Sequence, residues 1–377
     1  MSSENKTVTL QWKKEESQVQ MLHKVLWGKI TLNEDIKPIN FYSAWFQLIV
    51  CAFVFTSIDF LQTLLLTDRF NILHNEIGSM IAKIQLADYG FKLLTSMIFG
   101  YMVDAFGRKV VYYYSIICIS VGYMLLPVQT NIFPSYLIVK LFTSQGVIAL
   151  QMLPLTADYV HDSTKGIAAS LNYTLGFVGA LLSAFTFFLL NCLNATITEI
   201  YWTFGIVIAT LGFFLGLGVK GGTQYYRNQI ARESIGQEDV GTSWAEVYIS
   251  FKKIPWLRII LLISILGNAD LYVVSTGIPV FVKGFVENQE EANIQVGIYL
   301  VIFFALSFIC TIFYGRMMDK LPHLQLLFPL MVIASIGFLA IPFVASANSP
   351  LLYCFMVFEG LSLPGVFAFG TFLGTLY

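Results

Sequence analysis

Gly100-Tyr101-Met102-Val103-Asp104-Ala105-Phe106-Gly107-Arg108-Lys109 recurs in part 215 residues later, as Gly315-Arg316-Met317-Met318-Asp319-Lys320. Both copies sit where a long apolar run breaks into a short charged turn. Gly100 lets neighbouring backbones approach closely, and Gly107 permits a tight turn. Arg108 and Lys109 are costly to bury and mark an aqueous side. Asp104 can cap a helix or pair with a cation.

Around this turn the chain reads as a membrane protein. Its 377 residues are 56% hydrophobic and 12% charged, against roughly 25% charged in soluble domains. Mean hydropathy is +0.71. A net charge of −1 suggests no nucleic-acid partner. The apolar runs predict an all-α bundle in a lipid bilayer, with ten spans near 43–66, 82–103, 110–128, 133–156, 166–190, 200–219, 258–282, 294–315, 324–345 and 350–374. The runs are continuous, whereas membrane strands alternate over about ten residues.

Basic residues orient the bundle. With the N-terminus in the cytoplasm, 17 of the 22 Lys and Arg fall on cytoplasmic segments. Arg69, Lys83 and Lys283 lie on the opposite side, and Lys92 and Lys140 lie inside spans. No cleavable signal is visible in the polar residues 1–40, so the first span is expected to direct insertion. The five cysteines have no metal-ligand spacing and read as structural thiols.

Four regions follow: a cytoplasmic segment 1–42, a six-helix bundle 43–219, a cytoplasmic loop 220–257 and a second bundle 258–377. Met21, Leu22, Val25, Leu26 and Ile30 share one helical face, predicting an interfacial helix over 17–30. The Ser243-Trp244-Ala245-Glu246 capping box predicts another before the seventh span. The two bundles repeat each other. Asp59 matches Asp270, Asp104 matches Asp319, and Gln145-Gly146 matches Glu359-Gly360, at offsets of 211, 215 and 214. Such repeats place a binding site near the midplane between halves.

The repeated turn resembles the G-x-x-x-D-x-x-G-R-K signature of the major facilitator superfamily. That resemblance implies two pseudo-symmetric halves of six helices and transport by alternating access, with no enzyme activity and no cofactor. Ten of the expected twelve spans are present, and a shortened sequence is expected over a natural ten-helix protein. The resemblance also makes Gly100, Asp104, Gly107, Arg108, Lys109, Gly315, Asp319 and Lys320 a conformational latch. Asp158 and Lys165, in the segment after the fourth span, would complete its charge network, with Asp158 as the partner of Arg108. His161 reads as a loop residue.

Ionisable residues inside spans are the functional candidates, because burying a charge is costly. They are Asp59, Asp88, Lys92, Asp270 and Glu359. Asp88 and Lys92 stand at i and i+4 and can pair; Asp59 can also pair with Lys92. Lys140, about one turn inside its span, is expected to snorkel outward. An acid in helix 1, a Lys in helix 2 and an acid in helix 10 are similar to the drug and amine–proton antiporters, where one acid binds the cation and another carries the proton. That implies a small organic substrate, including a cationic one, and protons as coupled ions. A non-transporting structural subunit or sensor and a passive uniporter are the alternatives. There is no Walker A sequence and no metal-ligand or nucleophile–base constellation.

Overall fold

The computed structural model describes residues 24–221 and 273–376, apart from 27, 34, 35, 154, 162, 163, 287, 319–322, 345, 347 and 348. The predicted helix at 243–251 and Asp270, Asp319 and Lys320 lie outside the described residues.

The first half is built from α1 (Pro38–Asp68), α2 (His74–Phe106), α3 (Arg108–Leu125), α4 (Leu137–Gln151), the short α5 (Leu155–Tyr159), α6 (Lys165–Cys192) and α7 (Ile197–Gly218). The second half has α8 (Ile278–Phe285), entered through a π-turn at Val273–Gly277, then α9 (Gln289–Met318), α10 (His323–Ala340) and α11 (Pro350–Leu376). In hydrocarbon every backbone polar group must be met internally, so apolar runs of this length fold as helices. Among the described residues, six helices are long and apolar enough to cross a membrane. Leu86, Leu94, Phe214, Phe328 and Leu339 face outward on the bundle surface, as lipid-facing side chains do.

Local chemistry sets the helix ends. Pro38 starts α1, where its fixed φ suits the first turn. Gly107 alone separates α2 from α3, at φ 85° and ψ 157°, a conformation that excludes other residues. At the start of α7, Thr196 Oγ1 accepts from the Glu199 N–H at 3.3 Å, and Glu199 Oε2 accepts from the Thr196 N–H at 2.7 Å. This is a reciprocal capping box.

Within the first half, α1 packs on α6 and α7, and α3 packs on α4 and α7. Gly146 brings α4 against α3 so closely that a Cβ there would lie 2.7 Å from the Ser115 carbonyl. In the second half α11 lies between α9 and α10, and α9 packs along α6, joining the halves.

Residues 24–31 correct the expectation of an interfacial helix. Residues 1–23 lie outside the described region, but Lys24–Val25 (β1) and Ile30–Thr31 (β2) pair as an antiparallel hairpin. Gly28 turns it at φ 79°. The reason is backbone demand at the segment after α5. The His161 N–H donates to Thr31 O at 2.9 Å, the Asn33 N–H donates to Tyr159 O at 3.0 Å, and Leu32 bridges Val160. Val25, Ile30, Leu32 and Ile36 are buried by this docking. The apolar positions that suggested a helical face therefore pack on protein.

Candidate functional site

Asp59 lies on α1, nine residues before Asp68, or about 13 Å from that helix end. Its Oδ1 accepts from Gln85 Nε2 on α2 at 3.4 Å. One turn further along α2, Lys92 Nζ pairs with Asp88 Oδ2 at 2.8 Å. Lys92 therefore takes Asp88 and not Asp59. Lys140, on α4, acts electrostatically on both Asp59 and Asp88. Two acids and two lysines thus gather in one half, and Asp59, Asp88 and Lys140 are 8%, 0% and 1% exposed.

The burial of Lys140 corrects its expected snorkelling. Its side chain turns inward because the two carboxylates are there, and its Nζ makes no hydrogen bond to a described residue. Gln62, one turn from Asp59 on α1, is equally buried and leaves its amide oxygen and nitrogen unmet among the described residues. Tyr123 from α3 backs the cluster, its hydroxyl 2.6 Å from Ser57 Oγ and donating to Val54 O. Tyr201 from α7 packs behind it, ring centroids 5.7 Å apart.

The charged turn occupies the other end of the half. Arg108 Nε donates to Asp158 Oδ2 at 2.9 Å. Asn33 Nδ2 holds the backbone carbonyl of the same Asp158 at 2.7 Å. Lys109 Nζ reaches Leu217 O at 3.5 Å, tying α3 to the end of α7. Gly100 lies on α2, and so does Asp104; Lys165 begins α6. The side chains of Asp104 and Lys165 are outside the described set. Gly315 lies near the end of α9.

In the second half Glu359 is fully buried on α11. Gly337 of α10 makes room for it, since a Cβ there would lie 2.7 Å from Glu359 Oε1. Ser362 Oγ donates to its Oε2 at 3.4 Å. Among the described residues, Glu359 thus meets α10 and its own helix α11 in the second half.

The halves also meet through charge. Lys283 Nζ on α8 donates to Asp68 Oδ1 at 2.5 Å and to Thr67 Oγ1 at 2.7 Å. Asn293 Nδ2 on α9 donates to Asp68 Oδ2 at 3.3 Å. Sequence reasoning placed Lys283 on the side opposite the N-terminus and did not single out Asp68. Only their pairing across 215 residues reveals the contact. Lys140 carried a visible signal, a cation inside an apolar run, which its nearness to the span end obscured.

Three solved structures share the fold. A D-xylose–proton symporter matches at 13% identity over 89% of this chain and 86% of its own, with a TM-score of 0.57. The xylose transporter XylE from E. coli, in a partially occluded inward-open conformation, matches at 14% identity over 89% and 88%, with a TM-score of 0.61. A single-site variant of the E. coli fucose–proton symporter FucP matches at 13% over 90% and 87%, with a TM-score of 0.54. No curated protein sequence matches this chain. The sequence profile of the Major Facilitator Superfamily matches residues 44–377. With its two pseudo-symmetric helical halves and lipid-facing surface, the chain belongs to the Major Facilitator Superfamily: it is an integral multi-pass membrane transporter, not an enzyme.

Proposed function

We propose that the chain is a secondary active transporter that moves a small organic solute by alternating access, driven by protons. The observation that carries this reading is the burial of ionisable side chains in both halves, Asp59, Asp88 and Lys140 in one and Glu359 in the other. Charges at such depth are expensive and mark solute or proton paths. A carboxyl in low dielectric can exchange a proton for another cation. Glu359 is the preferred coupling acid, with Asp59 and Asp270 as the other candidates.

The positive-inside bias supports a cytoplasmic N-terminus and a cytoplasmic loop at 220–257. On that orientation the Arg108–Asp158 turn is the cytoplasmic latch, with Asp104 and Lys165 in its network. The Asp68–Lys283 contact is then an outer closure between the halves 43–219 and 258–377.

Charge balance favours a second reading of the substrate. Asp59 and Asp88 are matched by Lys92 and Lys140, so the first half offers a cation no excess negative charge. A neutral hydroxylated solute suits Gln62 and Gln85 as well as an amine would. The structural neighbours described as xylose and fucose transporters support that reading. Uptake into proteoliposomes of a panel of amines, amino acids and sugars, with and without an inward-acid pH gradient, tests both. Gradient-dependent accumulation supports coupling, and equilibration alone makes the chain a uniporter. No uptake of any solute leaves the structural-subunit reading.

A further inference from the structure

Asp158 stands on a helix too short to hold its own shape. α5 has five residues, and so short a helix gains too little internal bonding to be stable alone. Its partner Arg108 opens the long helix α3. The place of Asp158 therefore depends on what carries the backbone around it. Residues 31–33 do so from more than a hundred positions away. Asn33 Nδ2 donates to Asp158 O at 2.7 Å, and the Asn33 N–H donates to Tyr159 O at 3.0 Å. The His161 N–H donates to Thr31 O at 2.9 Å, and the Thr31 N–H donates to Thr164 Oγ1 at 3.1 Å. The other side of the segment is held by the end of the first bundle. Tyr159 Oη accepts from the Lys220 N–H at 2.9 Å and donates to Lys220 O. Asn40 Nδ2, in the first turn of α1, donates to Gly218 O at the end of α7 at 2.7 Å. Ile30, Leu32, Tyr159 and Val160 are buried, so apolar burial favours the docked hairpin.

We propose that residues 24–33 are a strap over the segment after α5, and that Asn33 is the positioning residue that sets Asp158 against Arg108. A partly exposed ion pair contributes little and cannot by itself offset the entropy of ordering a connecting segment. The strap supplies that order beforehand, so the carboxylate meets Arg108 already in place. Asn33 bonds the Asp158 carbonyl and acts on the pair through the backbone. The consequence for cycling rests on the Arg108–Asp158 turn as the latch, whereas the positioning itself is tested without transport.

Cysteines replacing Arg108 and Asp158, in the full chain without its five native cysteines, are joined by a short bifunctional thiol reagent in proteoliposomes. The carbonyl that Asn33 bonds survives both replacements. Adding Asn33→Ala should slow the joining roughly threefold or more, because the effective concentration of one thiol at the other falls. A strap that only stabilises the fold would lower the unfolding midpoint and leave this rate alone, so an unchanged rate overturns the proposal. Should Asn33→Ala not fold, Thr164→Val, which removes the other side-chain tie to the strap, decides by the same criterion. Spin labels at the exposed Tyr101 and Phe313, in the same cysteine-free chain with Arg108 and Asp158 intact, then read the separation of α2 from α9. Asp158→Asn should shift that distance distribution, and Asn33→Ala should shift it in the same sense. The double variant should move no further than Asp158→Asn alone. Additive shifts overturn the action through Asp158. Slower joining, with no shift in Asp158→Asn, keeps the positioning role and removes the latch.

Discussion

Lys283 of the second half holds Asp68 of the first by an ion pair whose side chains are 2% and 12% exposed. Thr67 and Asn293 complete the contact. In this conformation the two halves are therefore drawn together at the end of the bundle where α1 finishes and α9 begins.

Removing one member of a buried pair strands the other and costs about 3 kcal/mol or more. Lys283→Met should therefore bias the protein toward conformations separated at this end. A cysteine placed at the buried Gln62, in a background lacking the five native cysteines, should react faster with a membrane-impermeant thiol reagent. The swap D68K/K283D should slow that reaction again. Equal labelling of all three proteins would remove the closure.

Lys140 offers a test of charge balance. Lys140→Met leaves Asp59 and Asp88 with Lys92 alone, an uncompensated buried charge worth about 3 kcal/mol. The midpoint of thermal unfolding should fall clearly. Asp59→Asn with Lys140→Met restores neutrality and should recover most of the loss. Additive losses in the double variant would show that the two residues do not interact.

Such contacts mark the limit of what the chain showed by itself. The helices and the repeated turn were legible because hydrophobic run length and a charged Gly-rich break are local signals. The Asp88–Lys92 pair was legible for the same reason, being four residues apart on one helix. The hairpin at 24–31 was not. Val25, Leu26 and Ile30 satisfy a helical face as well as a strand, and the partner that decides between them, residues 159–161, is remote. Lys140 was misjudged because distance from a helix end says how deep a cation lies, not which carboxylate faces it, and the pairing of Lys283 with Asp68, 215 residues apart, has no local signal.

The Arg108–Asp158 pair should matter for motion more than for stability. It is partly exposed, so it contributes about 1 kcal/mol or less, and Asn33 holds the Asp158 backbone independently. Asp158→Asn should shift the unfolding midpoint by no more than about 2 °C while slowing solute exchange. Asp104→Asn should behave alike if it shares the network. Wild-type exchange rates in both would confine the turn to a structural role.

Glu359 separates coupling from binding. It is fully buried, lodged against Gly337 and bonded by Ser362. A carboxyl enclosed in this way can carry a proton and release it when the cavity opens to water on the other side. Glu359→Gln fixes the protonated shape without the titration. Accumulation driven by a pH gradient should be abolished, while exchange of internal for external solute, which needs no proton release, should persist. Gly337→Ala gives an independent check by crowding the carboxyl without changing its chemistry. It should slow both accumulation and exchange and leave the proton dependence in place. Normal accumulation by Glu359→Gln would move the coupling role to Asp270, its rival in the same half. Loss of exchange together with accumulation would instead make Glu359 part of solute binding, with Asp59→Asn as the next variant to compare.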